Sequence, residues 1–209
     1  MGADTRLFQN LDPIEGYTLV PLDYIHPEES KNLEDYAKLL AERYTFNEPY
    51  LLGGVSMGGM IAQELARLTN PRGLILISTA TSRSEMPLLF EWARKLRLAS
   101  LFNKPALEVI AKFGDQFTVK SPEGRQLFLE MLKDSDSDFM RFGAKSILGW
   151  QPPKNKLPII RIHGTMDRVF PPSKIFDATM IKGGNHFMIF ERGEELTSIL
   201  SKSLESLKL

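Results

Sequence analysis

The sequence predicts an α/β fold with a mostly parallel sheet flanked by helices. Short apolar runs bounded by turn residues alternate with stretches of helical spacing. Two runs, Gly73-Leu74-Ile75-Leu76-Ile77-Ser78 and Pro158-Ile159-Ile160-Arg161-Ile162-His163, are apolar nearly throughout. That is the pattern of strands buried on both faces. The chain has 209 residues, enough for one sizeable core.

Taken in order, Tyr17-Thr18-Leu19-Val20-Pro21 reads as a short strand after a Gly turn. Residues 32–44 read as a helix, with Leu33, Tyr36, Leu40 and Tyr44 spaced for one face. Tyr50-Leu51-Leu52 is a second short strand candidate and ends in Gly53-Gly54. Residues 56–68 then take helical spacing at Ile61, Leu65 and Leu68, and Asn70-Pro71 stops them. Residues 178–181 form a weaker strand candidate, and residues 194–208 close the chain as an amphipathic helix. The alternation breaks between residues 81 and 150. Helical patterns occur there around Leu88 to Leu98 and over 106–113, 123–132 and 139–148, with no convincing strand. The simplest organisation is a core of residues 1–80 and 151–209 carrying a helical insertion at 81–150.

Composition narrows the function. The chain is 43% hydrophobic and 25% charged, and its 26 basic and 26 acidic residues cancel. No basic field points to nucleic acid. Cys is absent, so thiol catalysis and disulfides are excluded, and a reducing cytoplasm is the expected location. No apolar stretch reaches spanning length, and the first ten residues hold no apolar signal core, so no membrane partner is expected.

The chemistry concentrates at Gly54-Val55-Ser56-Met57-Gly58. Gly-x-Ser-x-Gly is weak as a bare string. Here it lies between an apolar strand and an apolar-periodic helix, the context the motif requires. Gly54 and Gly58 are the elbow positions where side chains would collide with the neighbouring strand and helix. Ser56 falls at the helix N-terminus, where free N–H groups favour developing negative charge, and the Met57 N–H is placed to donate to an oxyanion.

A serine hydroxyl needs a base. Of the three His, His186 lies in a loop after the last strand, behind Gly183-Gly184. His163 ends a buried-type strand and reads as structural, and His26 reads as a solvated loop residue. The base in turn needs an acid to fix its tautomer. Asp167 follows the strand ending at His163-Gly164, and the order Ser56, Asp167, His186 is the one this scaffold uses. Asp23 precedes Ser56, the wrong order, and Asp177 sits at the start of a strand. Both are weaker candidates.

With these residues in place, the chain resembles the α/β-hydrolase superfamily over most of its length. The likeness rests on Gly53-Gly54-Val55-Ser56-Met57-Gly58-Gly59, the strand Leu74-Ile75-Leu76-Ile77, the segment from His163-Gly164 to Asp167, and Gly183-Gly184 with His186. It implies nucleophile, acid and base roles for Ser56, Asp167 and His186, with no metal or organic cofactor. It identifies 81–150 with the family's helical cap, whose Trp92, Phe102, Met131, Phe139, Met140 and Trp150 either line a substrate pocket or pack the cap onto the core. Dehalogenases and epoxide hydrolases of the family carry Asp where this chain has Ser56.

The front of the chain departs from the family, and the fold is expected to be N-terminally short. Met1-Gly2-Ala3-Asp4-Thr5-Arg6-Leu7-Phe8 resembles residues that follow the family's third strand. That strand ends in the segment supplying the second oxyanion donor, so the resemblance leaves the role to Met1 or Gly2. Three explanations stand open: a natural short form, a gene start placed too far downstream, or a second copy covering the exposed edge as a homodimer. The expected activity is hydrolysis of small carboxylic esters. Amide, thioester and C–C bond hydrolysis use the same triad, and a non-catalytic binding protein is the alternative from another class.

Overall fold

The computed structural model describes residues 3–46, 49–96 and 119–207. Four parallel strands make one sheet: β1 (Leu52–Val55), β2 (Leu74–Ile77), β3 (Ile159–Gly164) and β4 (Thr179–Ile181), in that spatial order. Leu52 pairs with Leu74, Leu74 with Ile159, and Ile162 with Thr179. All four C-terminal ends therefore lie along one edge of the sheet, the edge where ligands bind in folds of this kind.

Helix α1 (Leu33–Arg43) starts where the Asn32 side chain accepts from the Asp35 N–H at 2.9 Å, with Glu34 and Asp35 in its first turn. It buries Leu33, Tyr36, Ala37 and Leu40 against α2 (Met57–Leu65). The last helix, α7 (Gly193–Leu207), buries Leu196, Leu200 and Leu204 in a second cluster with Ile160, Ile162 and Ile181. The sheet thus has an apolar cluster on either side, as an α/β layer arrangement demands.

Within 81–150 the described residues form α3 (Leu88–Lys95), α4 (Pro122–Asp134) and α5 (Ser137–Gly149), and no strand. The expected helix over 106–113, and Phe102, lie outside the described residues. Ser121 caps α4 through the Gly124 N–H, and Asp136 caps α5 through the Asp138 and Phe139 N–H groups. Buried polar contacts help tie this segment to the core. The Trp150 indole N–H donates to Glu64 of α2 at 2.8 Å. Arg161 of β3 pairs with buried Glu85 at 2.9 Å and with Asp177. No helix among the described residues is long and apolar enough to cross a membrane.

The strand expected over residues 17–21 does not form. Leu19 is 56% exposed and Val20 69%. The reason is the absence of a partner backbone. Residues 16–24 stand across an open groove of about 1870 Å³ from Leu51 to Val55, and the groove replaces the ladder that strand propensity requires. The short link from Asp167 to β4 contains a single 3-10 turn, Pro172–Lys174, in keeping with its length.

Candidate active site

Ser56 sits between β1 and α2 with φ 54° and ψ −121°. A non-glycine residue in this region carries about 1–3 kcal/mol of strain and persists only where its surroundings over-determine it. They do so here. The Ser56 N–H donates to the Ile77 carbonyl at 3.1 Å. Its own carbonyl accepts from the Gly59 N–H at 3.1 Å and the Thr79 hydroxyl at 2.7 Å. The same turn leaves Met57 as the first helical residue, buried, with its N–H beyond the reach of any preceding helical carbonyl.

The elbow glycines differ from expectation in one respect. A Cβ at Gly54 would lie 2.2 Å from the Gly58 carbonyl carbon, so position 54 accepts no side chain. A Cβ at Gly58 would meet only the Tyr24 hydroxyl at 3.3 Å, the end of a movable side chain. The second tight position is Gly59, 2.5 Å from Thr79 Cγ2. The five-residue motif does not include Gly59, which is why the motif misses it.

His186 and Asp167 meet as expected. His186 Nδ1 lies 2.9 Å from Asp167 Oδ2. Asp167 Oδ1 accepts from the Val169 and Phe170 N–H groups at 2.8 and 2.9 Å, so both carboxylate oxygens are held. Burial would by itself raise the Asp167 carboxyl. The charge and hydrogen bond of His186, with the Phe170 N–H, outweigh it and hold the group below the usual carboxylate range. With Nδ1 committed to Asp167, Nε2 is the ring nitrogen left for a hydroxyl.

His163 is structural in its contacts. It is buried, its Nε2 bonds the Phe170 carbonyl at 2.9 Å, and burial lowers its pKa. His26 is exposed and its Nδ1 accepts from the Glu28 N–H. Asp23 is exposed, and Asp177 is taken up by Arg161. His26, Asp136 and Asp138 bring ligand atoms within 4.8 Å of one another, but the cluster is exposed and Asp136 is already engaged as a helix cap.

Ser56 and His186 border the same open cavity. Its apolar lining includes Phe90, Val119, Phe128, Ile147, Phe170 and Phe187. Of the aromatics and methionines singled out in the sequence, Met131, Phe139, Met140 and Trp150 pack in the core and do not line the cavity, and Trp92 is exposed. Met1 and Gly2 lie outside the described residues; Ala3 and Asp4, which follow them, border the cavity.

No family model matches the sequence, and no curated protein does. Solved structures do match. A thermophilic esterase from Thermogutta terrifontis is 20% identical, with a TM-score of 0.66 over 92% of this chain and 78% of that one. A hydrolase from Oleispira antarctica is 14% identical, with a TM-score of 0.72 over 98% and 88%. A bromoperoxidase from Bacillus anthracis is 14% identical, with a TM-score of 0.57 over 87% and 77%. The chain has the α/β-hydrolase fold.

Proposed function

We propose that this protein is a serine hydrolase of small carboxylic esters acting through Ser56, His186 and Asp167. The observation that carries the reading is the 2.9 Å His186–Asp167 contact at the cavity that Ser56 borders from a strained helix N-terminus. The structural neighbours described as an esterase and a hydrolase add support.

The chemistry follows from the arrangement. The Ser56 hydroxyl attacks the ester carbonyl while His186 Nε2 takes its proton. Asp167 fixes the tautomer and stabilises the imidazolium. The Met57 N–H holds the oxyanion, and the second donor is Met1 or Gly2. His186 then protonates the leaving alkoxide, and water repeats the sequence on the acyl-enzyme. The helices of 81–150 act as a cap, whose Leu89, Phe90, Val119, Phe128 and Ile147 border the cavity and favour an apolar acyl group.

A fluorophosphonate probe tests the reading. Covalent labelling at Ser56, lost in Ser56→Ala, is the expected result. A wild-type protein that takes no label points to a non-catalytic binding protein. Chromogenic esters of graded chain length, set beside matched amides and thioesters, then separate the substrate classes.

A further inference from the structure

We infer that Glu191 is a positioning residue that fastens the start of α4 to the loop carrying His186, so that the histidine's placement depends on the seating of α4. The inference rests on the reading of His186 as the base. Glu191 ends the short helix α6 (Met188–Glu191), five residues beyond His186. Its Oε1 accepts from the backbone N–H of Lys120 at 2.6 Å and of Ser121 at 2.5 Å. These two residues lead directly into α4, and Ser121 is its capping residue. Its Oε2 accepts from the Asn185 side-chain amide at 2.5 Å.

Asn185 completes the link. It is buried, and its Oδ1 accepts from the Phe187 N–H at 3.0 Å. One side chain therefore braces the backbone on both sides of His186. Phe187 in turn meets Phe128 of α4 with ring centroids 5.8 Å apart. A polar clamp and an aromatic contact thus join the same two elements. A carboxylate suits the junction because all three groups facing it are donors, and a carboxylate only accepts. Its negative charge also lies at the N-terminus of a 13-residue helix, where it is favoured.

The donor and acceptor count gives a test that loss of packing does not mimic. In Glu191→Gln the side-chain oxygen still serves Lys120 and Ser121, but its NH2 faces the NH2 of Asn185. In Asn185→Asp two carboxylates face each other. The double variant restores a donor–acceptor pair with its direction reversed and leaves the total charge unchanged. It also keeps an oxygen for the Phe187 N–H.

Each single variant should lower kcat about 10- to 100-fold, with a smaller change in KM, because the reacting groups are displaced and the cavity walls are not. The double variant should recover to within about threefold of wild type. The low-field proton of the His186–Asp167 hydrogen bond gives a second readout by NMR that does not need turnover. It should broaden in each single variant and sharpen again in the double. Unchanged kcat and an unchanged resonance in the single variants overturn the inference, as does a double variant no better than the worse single. If the wild type lacks esterase activity, the proposed function fails, while the resonance still decides the role of Glu191.

Discussion

Along β3, Ile160 and Ile162 are 5% and 1% exposed, and the strand has a paired neighbour on each side. Across the sheet, Leu19 and Val20 belong to the same class of side chain, yet they lie open beside a groove. Asp167 follows β3, which is paired on both sides, and His186 follows β4, which pairs with β3 alone. Ser56 follows β1, which faces the groove on one side and β2 on the other. Strand propensity is realised only where a second backbone lies within hydrogen-bonding distance. Ser56 is held through β2 and Thr79, and Asp167 through its contact with His186 and the N–H groups of Val169 and Phe170.

The largest effects are expected at the candidate residues that follow these strands. Ser56→Ala should reduce kcat by about 10⁶-fold without lowering the unfolding midpoint. A variant that keeps activity removes Ser56 as nucleophile. Asp167→Asn should cost about 10⁴-fold in kcat through the wrong tautomer of His186, read in ester turnover. A loss confined to KM would mean that Asp167 only shapes the cavity.

Next come the contrasts in packing. Gly54→Ala should destabilise by more than about 3 kcal/mol or abolish folding, since its Cβ meets backbone at 2.2 Å. Gly58→Ala, facing only a tyrosine hydroxyl, should stay within about 1 kcal/mol. Equal costs in urea unfolding would contradict the elbow geometry. On the two flanks, Ile162→Ala should cost about 2–5 kcal/mol, and Val20→Ser less than about 0.5 kcal/mol. A homodimer that covers the open flank would change the second figure. Light scattering at micromolar concentration would then show a dimer in the wild type and its loss in Val20→Ser.

The smallest effect is the acid dependence of stability. The folded Asp167 binds a proton less readily than the unfolded group of pKa 3.8, so its contribution is present above that value and is lost as pH falls through the lower folded one. Burial likewise lowers His163 from 6.5. Below pH 6.5 the unfolded chain gains a proton that the folded chain resists, and stability declines. His163→Gln should flatten the slope of unfolding free energy just below pH 6.5 and leave the lower limb intact. An unchanged slope would place that titration elsewhere.

Ser56, Asp167 and His186 were legible because each follows a recognisable strand and the elbow has its own local signature. Buried β2 and β3 were legible because runs such as Leu74-Ile75-Leu76-Ile77 have few other uses. Residues 17–21 misled because a strand is a relation between two segments, and propensity describes only one. Gly59 was not read as an elbow position, and Glu191 was not singled out, for a similar reason. Thr79 defines the first and the start of α4 the second, and both lie far away in sequence.

By itself, then, the sequence determined the alternation of strands and helices and the chemical identity and order of the three candidate residues. These depend on side-chain type and short-range spacing. Tertiary structure alone decided which second glycine is sterically required, which aromatics border the cavity, and that residues 17–21 lack a ladder. Each of these depends on a distance between segments, and the chain sets such distances only when it packs.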